Sequence, residues 1–575
     1  MTKIQRFFSS KISWVAIFII AIASILAIAS AWNDSVIVDE VPHIGAGYSY
    51  LVKRDMRLNP EHPPLAKDLA AIPLLFLKLK QDVFSSKAWL TDVNGQWEFG
   101  RALIFGNGNN ANLITHTAKI PMILFFILSA WIVFIWARKL YGDKAALFAL
   151  ILFSFSPTIM AHSRFVTTDM PAMFGVLSAT YFFLNFLKAN KANAAKSFVL
   201  AALFFGIALL LKFSTVLLIP FFILIWIIHS SFIIRHFSLK PALVLVAGFV
   251  FVVGPIYLLQ ITNYPPARQH ADTVSLLASN TNLLKPIVVW ASDKPVFRAY
   301  AQYGLGLLMV TQRAEGGNTV YYRGNTYITS AGHWYFPFVY LIKEPLAWLI
   351  LLTVAIAIAI FNFRFSIFKK NLDVLAMLLW IGIYWAVSIK SNLNIGVRHL
   401  LPAYPFMIIL VSGSISDLMQ SVNLKVQNYS SKFKNFTVSF SILIFTFLIG
   451  WYVWENIKTF PYYLTYFNEL AGGPTDGHRY VVDSNLDWGQ DLKRLGIWVK
   501  ENNVKNLQLD YFGWADQSYY LDGHFTWVTS KQHPKPGYFA VSATYLMNNI
   551  HGDYAWLADQ KPVTVIGNSI FVYHL

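Results

Sequence analysis

The sequence predicts a polytopic α-helical membrane protein with about eleven transmembrane helices and a small extracytoplasmic α/β domain at its C-terminal end. Three observations support this fold class. Of the 575 residues, 56% are hydrophobic and only 13% are charged, whereas about 25% are charged in an ordinary soluble domain. Apolar runs of about 20 residues, each long enough to cross a bilayer, recur along the chain. After residue 455, helical and strand-like patterns alternate instead.

The predicted first helix runs from about Ile12 to Ala31 and follows Lys3, Arg6 and Lys11, so we expect a cytoplasmic N-terminus. Its apolar stretch is long for a signal peptide, and we interpret it as an uncleaved helix. The other ten predicted spans cover residues 118–137, 145–161, 169–187, 197–211, 214–234, 241–261, 337–361, 373–389, 400–418 and 437–455.

The loops between these spans support the predicted number. An alternating path leaves five inner loops, and each is basic: 138–144, 188–196, 235–240, 364–370 and 425–434. Lys and Arg concentrate in cytoplasmic loops, so much of the net charge of +17 reflects membrane topology. We therefore expect membrane lipids, and no nucleic acid, as partners. The chain contains no cysteine, which excludes disulfides and thiolate chemistry.

Three long segments fall on the outer side. The first, residues 32–117, contains a short apolar stretch from Leu69 to Leu77 that suits an interfacial helix. The second is residues 262–336. The third, residues 456–575, is predicted to be the α/β domain, and residues 1–455 the transmembrane core. In that domain we expect a helix around residues 492–499 and strands at Tyr538–Leu546 and Val563–Tyr573.

Charged side chains at membrane depth are costly, so charges that gather at one face are informative. Here they lie at the outer ends of the predicted spans: Asp39, Glu40, Arg164, Asp169, Lys212, Lys343, Glu344, Arg398 and the neighbouring His399. Carboxylates and cations thus converge near one membrane face. This arrangement suits a water-filled cavity that binds an anionic headgroup.

Some of these positions have structural alternatives: a helix start at Asp169, a snorkelling side chain at Lys212, and an interfacial anchor at Arg398 and His399. Asp39 and Glu40 differ from them. Two adjacent acids directly after a membrane helix repel each other without evident gain, so we interpret this pair as functional.

Four segments carry a family resemblance: DEVPHIGAGYSYLVKRDMRLNPEHPPLAK (39–67), SRFVTTDMPAMFG (163–175), ALLLKFS (208–214) and GVRHLLPAYPF (396–406). Together they resemble the GT-C glycosyltransferases, specifically the protein O-mannosyltransferases and their bacterial lipid-carrier-dependent relatives. The C-terminal segment VVDSNLDWGQDLKRLGIWV (481–499) looks like the tail of the bacterial members. It departs from the eukaryotic mannosyltransferases, which carry a different luminal domain inside a loop.

The resemblance implies a GT-C-like fold and an inverting transfer from a polyprenyl-phosphate-linked sugar to an acceptor hydroxyl on the outer face. Asp39 would be the base, and Glu40 would orient its loop or act as the base itself. Asp169 would support the base or the acceptor. The leaving phosphate needs positive charge, which the resemblance places at Arg164, Lys212 and Arg398, with His399 as a further hydrogen-bond donor.

The acceptor side is expected to involve His43, Glu61 and His62. For Glu61 and His62 a purely structural turn, fixed by the surrounding prolines, is an equal alternative. The acids and histidines could ligate a divalent cation. The mannosyltransferase branch is regarded as metal-independent, however, so we expect no metal and no other cofactor.

Two other classes of protein remain as hypotheses. A transporter or flippase for a polyprenyl-linked glycan also needs helices and a charged cavity, although its charges would lie nearer the membrane midplane. A scaffolding protein would use the outer domain to bind partners. The sequence leaves open the sugar, and it leaves open whether the acceptor is a protein, a glycolipid or a cell-wall polymer. We expect a bacterial plasma-membrane location.

Overall fold

The structure is a computed structural model that describes residues 11–233, 238–361, 371–425, 431–548, 552–557 and 559–575. Some predictions concern other residues. Lys3 and Arg6, and parts of the predicted inner loops 235–240, 364–370 and 425–434, lie outside the described residues.

The first half of the chain is helical apart from short connections. Its α-helices are Lys11–Ser30, Glu40–Lys53, Leu65–Ala71, Lys87–Leu90, Gln96–Phe105, Ala111–Ser154, Pro157–Ser163, Asp169–Leu187, Ala194–Leu211, Leu218–Ile228, Lys240–Gly248, Gly254–Gln260, Pro266–Leu276 and Lys285–Ala291. The remaining helices are Phe297–Gly316, Tyr335–Lys343, Leu346–Phe361, Leu372–Lys390, Tyr404–Lys425, Ser431–Thr459, Leu492–Glu501, Gln517–Leu521 and Ala543–Met547.

Within the described residues, nine helices are long and apolar enough to cross a membrane, or ten if one bent pair is counted as a span. The chain is thus a polytopic helical membrane protein, while the number eleven stays a prediction. Two predicted spans, 118–137 and 145–161, fall largely within Ala111–Ser154. That element is interrupted at Gly142, whose φ of 84° and ψ of −176° are not helical. The interruption lies between the two predicted spans.

The predicted span 337–361 is wrong as a single helix. Helices Tyr335–Lys343 and Leu346–Ile360 meet at an angle of 118°. Pro345 causes the break, because proline has no backbone N–H and pushes the preceding residue out of the helical region. Glu344 accordingly has an extended backbone, with φ −104° and ψ 143°.

The helix that follows the acidic pair is held by two close approaches. Helix Glu40–Lys53 packs between helices Leu65–Ala71 and Gln96–Phe105. A Cβ atom at Gly47 would lie 2.2 Å from the Lys67 carbonyl oxygen, and one at Gly100 would lie 2.1 Å from that of Val41. Only glycine allows these contacts, so the packing fixes where Asp39 emerges.

The C-terminal residues, called the C-terminal unit below, combine short helices with a mixed sheet; that they form a separate domain stays a prediction. The mixed sheet contains β3 (Leu507–Asp510), β4 (Phe525–Trp527), β5 (Tyr538–Ser542), β6 (Thr564–Ile566) and β7 (Ile570–His574), in the order β4-β3-β5-β7-β6. Strand β3 is parallel to β4 and β5, whereas β7 is antiparallel to β5 and β6. A separate hairpin, β1 (Val320–Tyr322) and β2 (Asn325–Tyr327), belongs to the second outer segment.

Both predicted C-terminal strands need correction, while the domain boundary at residue 456 stays a prediction. The strand predicted at Tyr538–Leu546 ends at Ser542, where helix Ala543–Met547 begins. The strand predicted at Val563–Tyr573 is the hairpin of β6 and β7. Gly567 and Asn568 turn the chain with positive φ of 59° and 62°, as in a type I′ turn. The N–H of Ser569 closes this turn on the Ile566 carbonyl at 3.0 Å, and three residues connect the paired Ile566 and Ile570. The helix predicted to end at residue 455 continues to Thr459.

Candidate active site

The two acids of the pair lie in different environments. Glu40 is fully buried and accepts hydrogen bonds from the backbone N–H groups of Ile37 (3.0 Å) and Val166 (2.9 Å). Lys119 lies 3.4 Å from the same carboxylate. Burial raises the pKa of Glu40, and Lys119 with the two N–H groups only partly offsets this. Glu40 therefore ties two loops together, whereas the side chain of Asp39 is 28% exposed and lines a cavity.

Arg398 connects Asp39 to the next acid. It lies in a 3₁₀ turn, Val397–Ala403, that follows Gly396. Its Nη1 donates to Oδ2 of Asp39 at 2.9 Å and to Oδ2 of Asp169 at 3.2 Å. One guanidinium nitrogen thus bridges two carboxylates from distant parts of the sequence.

Asp169 is the centre of this ion cluster. It begins helix Asp169–Leu187 and is 2% exposed. Its other oxygen pairs with Nζ of Lys212 at 2.5 Å. The preceding Thr168 makes no side-chain cap hydrogen bond, and the Lys212 side chain is only 12% exposed. Helix capping therefore does not explain Asp169, and snorkelling does not explain Lys212. Asp169 instead forms ion pairs with both Lys212 and Arg398.

Arg164 was predicted to bind the donor phosphate, but the structure does not bring it to the cavity. Its Nη2 pairs with Asp34 at 3.3 Å, and its Nη1 donates to the Pro461 carbonyl at 3.1 Å. Asp34 also pairs with Arg494 of the C-terminal unit at 2.8 Å. Burial alone would raise the pKa of Asp34, but Arg164 and Arg494 outweigh it and lower that pKa. Arg164 thus belongs to an ionic contact between two loops of the helical core and the C-terminal unit.

The residues predicted for the acceptor side line the same cavity. Glu61 accepts a hydrogen bond of 2.6 Å from Nε2 of Gln96. Nδ1 of His43 lies 2.8 Å from the Val166 carbonyl, and its ring meets the edge of His62 with centroids 4.9 Å apart. Burial lowers the pKa of both histidines, so both are neutral at pH 7.

The turn that carries Glu61 and His62 is fixed by a buried lysine rather than by prolines alone. Nζ of Lys67 donates to the carbonyls of Asn59 (2.8 Å) and His62 (2.7 Å). Burial lowers the pKa of Lys67 to about 7, although Glu61 and Asp68 act in the opposite direction. The turn is therefore structural, and its acid and imidazole also line the cavity; their role on the acceptor side stays a prediction.

The cavity has a volume of about 290 Å³. His399 lines it too, next to the rings of Phe336 and Tyr384, and its Nδ1 has no hydrogen-bond partner among the described residues. The cavity lining also includes residues that the sequence analysis did not propose for the site, among them Gln96, Trp97, Arg313, Asp483, Trp488 and Phe512. The last three belong to the C-terminal unit. The segment 481–499 was conspicuous as a motif, but nothing in it indicated where it folds.

A larger groove of about 520 Å³ lies elsewhere, between Tyr141, Lys144 and Gln420. It contains none of the predicted site residues, so the ion cluster, and not the groove's size, defines the candidate site. Within the described ranges, no three His, Asp or Glu side chains are grouped so that they could hold a metal ion. The expectation of no metal stays a prediction.

Comparison with known proteins supports the resemblance seen in the sequence. The model of a family described as dolichyl-phosphate-mannose-protein mannosyltransferase matches residues 103–257, about a quarter of the chain. This stretch includes the SRFVTTDMP segment with Arg164 and Asp169. The predicted likeness to the O-mannosyltransferases is thus confirmed for that part. No curated protein matches the chain.

Three solved structures are similar in backbone course. ArnT from Cupriavidus metallidurans bound to undecaprenyl phosphate is 12% identical, with 98% of each chain covered and a TM-score of 0.49. The Archaeoglobus fulgidus oligosaccharyltransferase tethered with an acceptor peptide is 13% identical, with 85% of this chain and 57% of that chain covered and a TM-score of 0.46. The S. cerevisiae protein O-mannosyltransferase Pmt1–Pmt2 complex bound to the sugar donor is 21% identical, with 44% and 33% covered and a TM-score of 0.33.

Proposed function

We propose that this protein transfers a sugar from a polyprenyl-phosphate carrier to an acceptor hydroxyl on the outer face of the membrane, with inversion at the anomeric carbon. One observation carries the proposal. A partly exposed carboxylate, Asp39, faces Arg398 and Lys212 in one cavity, so a base and a phosphate-binding cluster stand together. The family model over residues 103–257 supports the same class of reaction.

Asp39 is the best candidate for the base. Its Oδ2 accepts from Arg398, and among the described residues no hydrogen bond reaches Oδ1. Asp169 is bound by two cations, and Glu40 is saturated by donors outside the cavity. Oδ1 of Asp39 therefore has free lone pairs to take the proton of the acceptor hydroxyl.

The reaction is a single displacement. As the acceptor hydroxyl loses its proton to Asp39, its oxygen forms a bond to C1 of the sugar. The bond between C1 and the phosphate oxygen breaks, and the electron pair leaves with the lipid phosphate. The phosphate departs as an anion, which Lys212, Arg398 and Arg313 are placed to stabilise. Arginine can bind phosphate with two parallel N–H groups.

This assignment selects one of the two roles expected for Glu40 and revises the role expected for Arg164. Glu40 positions the loop instead of acting as the base, and Arg313 takes the place of Arg164 among the phosphate ligands. Arg313 is exposed at the end of helix Phe297–Gly316 and lines the cavity. Because Lys212, Arg398 and Arg313 line the cavity, we propose that no divalent cation is needed.

The positions of the charges argue against the transporter hypothesis. Asp39 precedes helix Glu40–Lys53, Asp169 begins its helix, and Lys212 directly follows helix Ala194–Leu211. A carrier with a central site would hold such charges within its spans. All of these lie at helix ends.

The test uses purified protein in detergent with radiolabelled undecaprenyl-phosphate-linked hexoses and aminopentoses. Protein, glycolipid and cell-wall fractions serve as separate acceptors. We expect one donor to pass its label to one fraction, with inverted anomeric configuration by NMR and no loss of rate in EDTA. Asp39→Asn should abolish transfer and still bind undecaprenyl phosphate. Movement of a lipid-linked sugar across vesicles without any transfer would overturn the proposal.

A further inference from the structure

A loop of the C-terminal unit, residues 483–490, contacts the helical core next to the candidate site. Its backbone runs beside the segment that leads to Asp39. The N–H of Ser35 donates to the Gln490 carbonyl at 2.8 Å, and the N–H of Val38 donates to the Trp488 carbonyl at 3.0 Å. The hydroxyl of Ser35 donates to the Gly489 carbonyl at 2.7 Å. Val38, the residue just before the proposed base, is thus hydrogen-bonded to the backbone of Trp488.

The Trp488 side chain contacts Arg398, which forms the ion pair with Asp39. The Arg398 guanidinium carbon lies 4.0 Å from the centroid of the indole ring. Trp488 is 1% exposed and lines the cavity. An arginine over an indole face that is removed from water is a strong form of the cation–π interaction. The ring therefore holds the guanidinium in the orientation in which one nitrogen reaches both carboxylates.

We propose that Trp488 is a positioning residue that sets the geometry between Asp39 and Arg398. Its ring fixes the guanidinium, and its carbonyl fixes the backbone next to Asp39. The inference rests on the proposed function and adds to it a role for the C-terminal unit, which builds one wall of the active site. A displacement of about 1 Å between base and cation is enough to slow such a reaction strongly.

Two substitutions separate positioning from packing. Trp488→Leu removes the aromatic face, and Trp488→Phe keeps a weaker one. In the transfer assay, with the donor and acceptor that the wild type uses, we expect Trp488→Leu to lower kcat about thirty-fold and Trp488→Phe only about three-fold. KM for the donor should change less than kcat. Trp527→Leu is the matched control, because Trp527 is 48% exposed on β4 and outside the cavity.

A double-mutant cycle provides the second readout. Arg398→Lys replaces the planar guanidinium with a compact ammonium group that stacks less well. If Trp488 acts through Arg398, Trp488→Leu should lower kcat by less than three-fold in the Arg398→Lys background. Equal effects in both backgrounds would show that Trp488 does not act through Arg398, and would overturn the proposal. If Trp488→Leu does not fold, the same cycle with Trp488→Phe decides.

The outcomes distinguish this inference from the proposed function. If the wild type transfers sugar and Trp488→Leu matches Trp527→Leu in kcat, the positioning role is refuted while the function stands. A lowered melting temperature with unchanged kcat also refutes the positioning role, since it indicates packing alone. If the wild type transfers no sugar and binds no undecaprenyl phosphate, the proposed function itself fails.

Discussion

Asp169 neutralises the cations that the donor phosphate is proposed to use, so its removal should tighten phosphate binding while it destabilises the fold. Its two oxygens contact Nζ of Lys212 at 2.5 Å and Nη1 of Arg398 at 3.2 Å. The carboxylate is almost completely buried. The substitution Asp169→Asn keeps the shape of this side chain and removes its charge.

The magnitude follows from Coulomb's law. A phosphate oxygen about 3 Å from the Arg398 guanidinium would lie about 6 Å from the Asp169 carboxylate. With an effective dielectric constant of about 20, two unit charges at that separation repel by about 3 kcal/mol. Solvent in the cavity reduces this value, so we expect Asp169→Asn to bind undecaprenyl phosphate about 10- to 100-fold more tightly. Breaking a buried ion pair costs about 3–5 kcal/mol of stability.

Both quantities can be measured together. Thermal unfolding in detergent, followed by tryptophan fluorescence, gives the loss of stability and, from its dependence on added undecaprenyl phosphate, the affinity. Asp373→Asn is the control. Asp373 is also buried and ion-paired, but it belongs to helix Leu372–Lys390, and its partner Lys188 directly follows the end of helix Asp169–Leu187 opposite Asp169. It should lower stability without changing the affinity.

The reasoning fails if Asp169→Asn binds undecaprenyl phosphate more weakly than the wild type. It also fails if Asp373→Asn tightens binding equally, because the gain would then come from general loosening. Turnover by Asp169→Asn should fall even though binding tightens, since Arg398 loses one of the two carboxylates that hold it.

Three further predictions concern the scaffold. Asp34→Asn removes the ion pairs to Arg164 and Arg494 and should speed proteolysis within residues 456–575. Because the pKa of Asp34 is lowered in the folded protein, these ion pairs stabilise the wild type fully above about pH 4. Their stabilisation is lost as the pH falls through the folded-state pKa. Burial raises the pKa of Asp68 to about 8, although Lys67 and Gln260 act to lower it. The folded state then binds this proton more tightly than the unfolded state, so stability should fall as the pH rises from about 4 to that pKa. Asp68→Asn should therefore make the melting temperature depend less on pH between pH 5 and 8. Gly100→Ala should sharply lower the melting temperature because its Cβ would meet the Val41 carbonyl, whereas Gly106→Ala, with open space around it, should not; equal melting temperatures would contradict the close packing.

The sequence predicted the membrane class of the fold and most spans, because long apolar runs and basic loops are local signals. It did not predict the break at Pro345 or the hairpin at Gly567 and Asn568 as such. A proline and a Gly-Asn pair are local signals for such breaks. The long apolar run around Pro345 and the β-prone run around Gly567 nevertheless favoured one unbroken helix and one unbroken strand. The helix expected around residues 492–499 lies within Leu492–Glu501, because its apolar residues recur at helical spacing.

The sequence identified several charged residues of the candidate site, but it did not predict which of them form ion pairs with each other. Asp39, Asp169, Lys212 and Arg398 stood out because charge is costly at helix ends in a membrane, and the structure brings all four together. Arg164 satisfied the same criterion yet pairs with Asp34. Which carboxylate an arginine meets depends on contacts hundreds of residues apart in sequence, and no local pattern encodes them.

The C-terminal unit and the helical core cannot be assigned separate functions. Trp488 and Asp483 line the cavity, and the backbone of residues 488–490 is bonded to the segment that precedes Asp39. Arg494 of the C-terminal unit is, with Arg164, one of two arginines that pair with the buried Asp34 of the core. A scaffolding domain that only binds partners has no need to place a tryptophan under the arginine of the ion cluster. These contacts favour a single enzyme whose active site is built from both parts of the chain.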